Sequence, residues 1–415
     1  MTVHMPIRER AKYPARRPAL SRSLRTLALA GLLIAVAPLS GALGQATPEP
    51  AVPATPVASA QTTALLAKAV DDPLWVVGSD GMVHLDYDLL FTNVSPAPVT
   101  LMQIDVLAPD GGTLLTLEGD ALLAMTQPTF GGAPTIVVPA SGALVTMLDV
   151  VLPPGHVPER VGHRIAYALP PDSPANALVS STEISWPDLL VEAGAPRVIA
   201  SPLRGTGWLN ANGCCGASSH RSARLAVDGS HLLDFEAFAI DWVKLEGGAT
   251  YAGDGARNED HYAYGEAVFA VADGTVVSVR DGVPDNEPFT RPQLRSPVDF
   301  GGNQIMVHLD SGEYAFYAHL QPGSVHVQPG DRVATGDILG LLGNTGNSDA
   351  PHLHFQLSDG PDVLTSASLP FVIDAWTLAG VIADDASAAT TAGRVGPEAP
   401  QTNTFPLQGT VASFP

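Results

Sequence analysis

The sequence is short of positive charge, of cysteine and of long apolar runs, and each shortage removes a class of function. Its 415 residues carry 21 Lys+Arg against 42 Asp+Glu, a formal net charge of −21. Seven of the basic residues (Arg8, Arg10, Lys12, Arg16, Arg17, Arg22, Arg25) crowd into the first 25 positions with one acid, Glu9. Without residues 1–44 the chain holds 14 basic and 41 acidic groups, a net −27. So acidic a chain is repelled by phosphate backbones and anionic lipid head groups, which excludes nucleic acid as a partner. Its two cysteines are adjacent, Cys214-Cys215. They cannot form a disulfide framework or a zinc cage by themselves. A vicinal disulfide in an oxidising compartment and a pair of free thiols both remain open. The longest apolar run, Leu27–Val36, is about half of the ~20 residues that span a bilayer.

What is present begins with export. A basic leader, that apolar run and Ala42-Leu43-Gly44, with small residues at alternate positions, have the three-part form of a signal peptide over residues 1–44. The mature protein is then expected to be periplasmic or extracellular, with no membrane span after cleavage. Residues 45–62 are rich in Pro, Ala and Thr and read as an extended, disordered linker. Over 63–168 the pattern is of strands. In Val83–Phe91, Val83, Leu85, Tyr87, Leu89 and Phe91 share one face, and His84, Asp86 and Asp88 the other. Leu144, Thr146, Leu148, Val150 and Leu152 form a second one-sided strand. Short strands separated by Pro/Gly turns predict an immunoglobulin-like β-sandwich. Its lone histidines, His84 and His163, read as structural or exposed. Residues 169–200 read as a second linker, 201–378 as a strand-rich domain with glycine turns, and 379–415, low in large apolar residues, as a flexible C-terminal tail. The fold class expected is mostly β throughout.

Chemistry concentrates in the second domain. In His352-Leu353-His354-Phe355 a period of two puts both imidazoles on one face and the apolar pair toward the core. Two imidazoles so placed suit a divalent metal or a proton-transfer pair. Ile305–Leu309 and Tyr314–His319 flank the turn Asp310-Ser311-Gly312 and predict a hairpin ending on His319, with Ala315, Tyr317 and His319 sharing a face. His308 reads as structural. Asp241 lies in the apolar strand Phe238–Trp242, where a carboxylate needs a positive partner or a metal. A hairpin centred near Ser230–His231 would set His220 opposite Asp241, within about 5 Å. His220, Asp241 and His354 would then supply N, O and N donors and leave a fourth tetrahedral position open. His319 and His352 would remain for proton transfer.

At these residues the chain resembles the lysostaphin/LytM-type zinc metalloendopeptidases, peptidoglycan hydrolases with an antiparallel β fold. The matching blocks are Phe238–Trp242, Gly265–Gly274, Tyr317–Leu320, Pro329–Gly346 and Pro351–Phe355. The resemblance implies Zn2+ as cofactor, Asp241 and His354 as ligands, His319 and His352 as catalytic histidines, and a peptidoglycan peptide or a protein as substrate. The family places its first ligand histidine four residues before the aspartate, where this chain has Ala237. The missing ligand is assigned to His220, with His231 and His261 as rivals. An alternative is a catalytically degenerate LytM-like domain that binds and activates another wall hydrolase. A biotinyl or lipoyl carrier, which shares the glycine-turn pattern, needs a hairpin lysine, and the only lysines are Lys12, Lys68 and Lys244. The loops Ala252–Tyr264 and Arg280–Gly302 are expected to border the groove. Sequence does not set the oligomeric state.

Overall fold

The computed structural model describes residues 60–382 and 396–415. The predicted signal peptide and nearly all of the first linker lie outside the described residues. Ten strands open the described chain: β1 (Leu65–Ala69), β2 (Leu74–Val77), β3 (Val83–Asn93), β4 (Val99–Leu107), β5 (Thr113–Glu118), β6 (Thr126–Gln127), β7 (Val137–Val138), β8 (Ala143–Leu152), β9 (Arg160–Ala168) and β10 (Glu183–Leu190). They form two sheets. One runs β1-β3-β8-β6 with β2 also on β3; the other runs β10-β9-β4-β5 with β7 also on β4. Leu85, Tyr87, Leu89 and Phe91 from β3, Leu148 and Val150 from β8, Ile104 and Val106 from β4, and Ile165 from β9 fill one shared core. These are the alternate positions of each strand, so the period of two decides which side chains meet between the sheets.

The other face of β3 breaks the usual rule that it should meet water. His84, Asp86 and Asp88 are buried. His84 Nδ1 lies 2.9 Å from Asp149 Oδ1 and its Nε2 lies 3.3 Å from Asp80 Oδ2. Asp86 and Asp88 meet Arg221 and Arg224 from the C-terminal half. Asp86 and Asp88 on the polar face of β3 therefore make an internal contact between the two halves, and the described residues form one compact unit.

The remaining strands are β11 (Arg197–Ile199), β12 (Gly205–Asn212), β13 (Arg224–Val227), β14 (His231–Asp234), β15 (Ile240–Lys244), β16 (Ala267–Phe269), β17 (Gly274–Arg280), β18 (Gln304–Leu309), β19 (Tyr314–Ala318), β20 (Arg332–Val333), β21 (Ile338–Leu341), β22 (Leu353–Ser358), β23 (Ser368–Leu369), β24 (Phe371–Ile373), β25 (Trp376–Val381), β26 (Ala399–Gln401) and β27 (Thr410–Phe414). A large sheet runs β20-β17-β18-β19-β22-β15-β12-β27-β25-β26, with β23 on β22. β18 and β19 form the predicted hairpin, closed by Leu309 N donating to Glu313 O at 2.8 Å. One side of the sheet packs Trp242, Ile305, Tyr317, Leu353 and Phe355 into the main core. Cys214 and Cys215 are joined as a disulfide and buried in that core.

One expected linker is folded. The 169–200 connector supplies β10, which pairs with β9, and β11, which runs parallel to β24. The expected flexible tail 379–415 is corrected for its described residues, 379–382 and 396–415: β27 lies between β12 and β25 in the large sheet. It lacks many large apolar residues, but those it has are used, with Phe405 and Val411 fully buried. Backbone bonds do the rest, including Phe405 N donating to Val77 O at 2.7 Å.

Burial works against a charged His84, but hydrogen bonds and charge from Asp149 and Asp80 outweigh it and push its pKa up to about 10. A raised folded-state pKa stabilises fully below the unfolded imidazole value of about 6.5, and that stabilisation is lost as pH rises through the folded value. Urea unfolding of the parent chain and of His84→Gln should therefore show a stability difference that is largest near pH 6 and shrinks toward pH 10. A difference independent of pH over that span would contradict the assignment.

Candidate metal centre and its histidines

Two candidate ligands are placed by the sheet itself. β15 and β22 are antiparallel neighbours with Asp241 directly opposite His354, and His354 Nδ1 lies 3.0 Å from Asp241 Oδ1. Their chain neighbours Ile240, Trp242, Leu353 and Phe355 point the other way, into the core. Alternation thus delivers a carboxylate and an imidazole to the same face. His352 precedes β22 and follows the same alternation; its Nε2 is 3.4 Å from Asp241 Oδ1.

His220 arrives by another route from the one expected. β13 and β14 do form a hairpin, but its register pairs Val227 with His231 and Arg224 with Asp234, and pairing ends there. His220 lies upstream in a short 3-10 turn, His220–Ser222. From that turn its Nε2 comes within 3.1 Å of Asp241 Oδ2, while Nδ1 lies 3.1 Å from Ala239 O, where it can only donate. The predicted neighbour relation is present and the predicted strand pairing is not. His231 is exposed, beside Ser230 Oγ at 3.0 Å. His261 bonds to Gly255 O and packs on Tyr251 and Phe289. Among the described residues, one donor atom each from His220, Asp241 and His354 lie within 4.8 Å of one another, and neither rival joins them.

His319 directly follows β19, with φ of 71°. That left-handed conformation breaks the alternation predicted for it. Tyr317 stays on the core side, where its hydroxyl accepts from Val271 N at 3.0 Å. His319 is turned instead beside His354 and His352, at ring-centroid distances of 5.8 and 4.6 Å. Its Nδ1 is 2.8 Å from Thr345 O and therefore carries the proton, leaving Nε2 as a free base. His352 Nδ1 is fixed in the same way by Ala350 O at 2.8 Å. His308 stacks on Tyr314, away from this cluster.

Electrostatics separates the two histidines. Burial, and then the positive charges of His352 and His354, hold His319 well below the usual imidazole range. Burial also opposes charge on His352, but the carboxylate of Asp241 outweighs it and raises that pKa. Asp241 is buried too, yet the charges of His220 and His352 keep it well below the usual carboxylate range. Three further polar groups escaped the sequence reading. Asn212 Nδ2 donates to Asp241 Oδ2 at 3.0 Å. Gln356 Oε1 faces His354 Nε2 at 3.0 Å, and Glu236 Oε1 lies 3.6 Å from the same nitrogen. Burial pushes Glu236 up to about 7. Gln356 was within reach of the period-two argument, since it lies two residues beyond His354. The donors of His220, Asp241 and His354 suit a divalent zinc-type ion: two imidazole nitrogens and one carboxylate, each in a fixed orientation.

A mostly antiparallel β fold thus gathers an H-x-H pair and an aspartate on one sheet face, with His220 reaching them from a turn, in an arrangement that could hold a metal ion. Residues 260–364 match the model of Peptidase family M23, so the chain carries a Peptidase M23 domain, homologous to lysostaphin and its relatives. The match includes His319, His352 and His354, and excludes Asp241 and His220. Glycyl-glycine endopeptidase ALE-1 of Staphylococcus capitis is 51% identical over 57 residues, 14% of this chain and 15% of that one. Endolysin 2638A of a Staphylococcus phage is 33% identical over 121 residues, 28% and 21% of the two chains. The catalytic domain of lysostaphin from Staphylococcus simulans aligns in space at 22% identity with a TM-score of 0.21, covering 40% of this chain and 84% of that one. The chain spans less than a quarter of the length of these two curated relatives.

Gly346 closes the turn that offers Thr345 O to His319. It has φ of 74°, and a Cβ there would sit 2.3 Å from Gly302 N and 2.6 Å from Phe300 O. Gly323 has a similar φ of 72° and open space around it. Gly323→Ala should therefore cost only the left-handed backbone, about 1 kcal/mol. Gly346→Ala should cost at least about 2 kcal/mol more, because backbone atoms must shift. Denaturant midpoints of both variants test this; equal losses would show that the close approach carries no weight.

Proposed function

We propose that this chain is an exported zinc-dependent endopeptidase that hydrolyses peptide bonds in peptidoglycan cross-links or stem peptides. The observation that carries the reading is the meeting of His220 with Asp241 and His354, because it restores the donor that Ala237 lacks. A centre short of that donor would favour the degenerate, activator-type reading instead. His220, Asp241 and His354 are the proposed ligands. A zinc ion held there would polarise a scissile carbonyl and make a water acidic near neutral pH.

The roles of the chain's own groups follow from their surroundings. His319, kept neutral with its Nδ1 proton fixed on Thr345 O, presents Nε2 as a base for a water proton. His352 holds its proton more firmly beside Asp241 and suits the developing oxyanion or the departing amine. Two titratable groups of one kind, pushed apart by environment, thus divide acid and base work. Asn212 and Gln356 hold Asp241 and His354 in orientation. Export rests on the leader in residues 1–44. The similarity to a glycyl-glycine endopeptidase and to an endolysin supports a wall peptide as substrate.

Zinc analysis of the purified chain, with digestion of isolated peptidoglycan and mass spectrometry of the products, tests the reading. One zinc per chain and new peptide ends are expected. His319→Ala and His352→Ala should lower kcat by roughly 10²–10⁴ while zinc is retained. Asp241→Ala and His354→Ala should lose zinc itself. Zinc bound without any new peptide ends would remove the enzyme reading and leave the activator one.

A further inference from the structure

Of the three proposed ligands, only His220 is not placed by the large sheet. Asp241 and His354 sit opposite each other on paired strands, whereas His220 lies on a three-residue turn. That turn is held from the N-terminal sandwich. Arg221, next in sequence and fully buried, has Nη1 in an ion pair 2.8 Å from Asp86 Oδ2 and donates through Nη2 to Asp88 Oδ1. Ser222 Oγ accepts from Gln127 Nε2 of β6 and donates to Ser218 O at 2.7 Å. Arg224, just beyond the turn, donates from Nε to Asp88 Oδ2 at 2.8 Å. Arg221 Nη1 also donates to Cys215 O, which ties the disulfide segment to the same clamp. On its other side His220 makes one bond to the backbone, to Ala239 O.

We propose that Asp86, Asp88 and Gln127 of the sandwich are positioning residues for the metal centre, acting through Arg221 and Ser222 to hold His220 at its ligand position. This rests on the assignment of His220 as a ligand. The physical reasoning is that a donor on a short turn is as well placed as the turn's anchors. Buried charge-assisted bonds fix geometry more tightly than a solvated loop does, and groups that orient metal ligands carry 10–100-fold in metal affinity. The sandwich is then an integral wall of the centre, and its polar β3 face, unusual for a strand, is the part that does this.

The test measures zinc affinity of the full chain by competition with a chromophoric chelator, with circular dichroism of the metal-free proteins to verify folding. Asp86→Asn, Gln127→Ala and His220→Ala are made singly, and the first two are also combined with His220→Ala. A loss of about 10-fold or more is expected for Asp86→Asn, and a smaller loss for Gln127→Ala. Neither should lower affinity further once His220 is alanine, because the clamp acts only through that side chain. A merely structural role would give the same loss in both backgrounds, and that result would overturn the proposal. So would unchanged affinity in the folded single variants. If Asp86→Asn does not fold, Gln127→Ala decides by the same comparison. His220→Ala alone reports on the ligand assignment: unchanged affinity there would sink that assignment, and the clamp with it.

Discussion

The site depends first on a single cross-strand pairing, Asp241 opposite His354. Antiparallel register brings directly opposed side chains to about 5 Å without further help, so a carboxylate and an imidazole meet as a consequence of sheet formation. A slip of one residue would send both into the main core and expose Trp242 and Phe355 in their place. The hydrophobic alternation that buries those neighbours therefore also fixes the donors. Everything else in the centre comes from connections that end near this pair: His319 from the end of β19, His352 from the turn before β22, and His220 from a turn ahead of β13.

The second constraint is electrostatic. A chain with twice as many acids as bases could be expected to keep its carboxylates in water. Asp86, Asp88, Asp234 and Glu236 are buried instead. Arg221 and Arg224, two of its scarce basic groups, are buried with the first three. Desolvation makes such clusters poor contributors of net stability, but their directional bonds admit few alternative arrangements. Burial and mutual repulsion raise Asp234 to about 8, with Arg224 and Arg221 opposing the rise. The gain is specificity of docking between sandwich and peptidase domain rather than strength. Gln127–Ser222 and Phe405–Val77 are bonds of the same contact.

Much of this was legible in the sequence, and the reasons differ by element. β3, β8 and the hairpin β18–β19 were readable because their cores lie on one face and period two suffices. His352 and His354 followed from the same rule. The neighbour relation of His220 and Asp241 was anticipated through a strand pairing that does not exist, so distance and mechanism of placement came apart. His319 escaped the face assigned to it because one left-handed residue cancels alternation. The C-terminal strands were hidden by their composition: β27 contributes Val411 and Phe414 to a sheet that other strands have already made apolar, so it needs few large side chains. Glu236 and Asn212 were unreadable in principle, since neither lies at a fixed spacing from its partner.

On the proposed assignment, the displacement of one donor from position 237 to position 220 shows how loosely sequence spacing constrains a metal centre. A ligand has to satisfy distance and orientation at the ion, and it is indifferent to the path the chain takes to get there. Here the imidazole of His220 anchors to the carbonyl of Ala239, two residues beyond the alanine that stands where the family has its histidine. The donor is thus returned to the backbone segment from which it is missing. What changes is the support: a histidine on the strand would be held by the sheet, whereas this one depends on a turn whose anchors lie in another domain. On that assignment, moving the ligand moves the mechanical dependence of the site, and the proposed transfer gives the buried polar face of β3 a role.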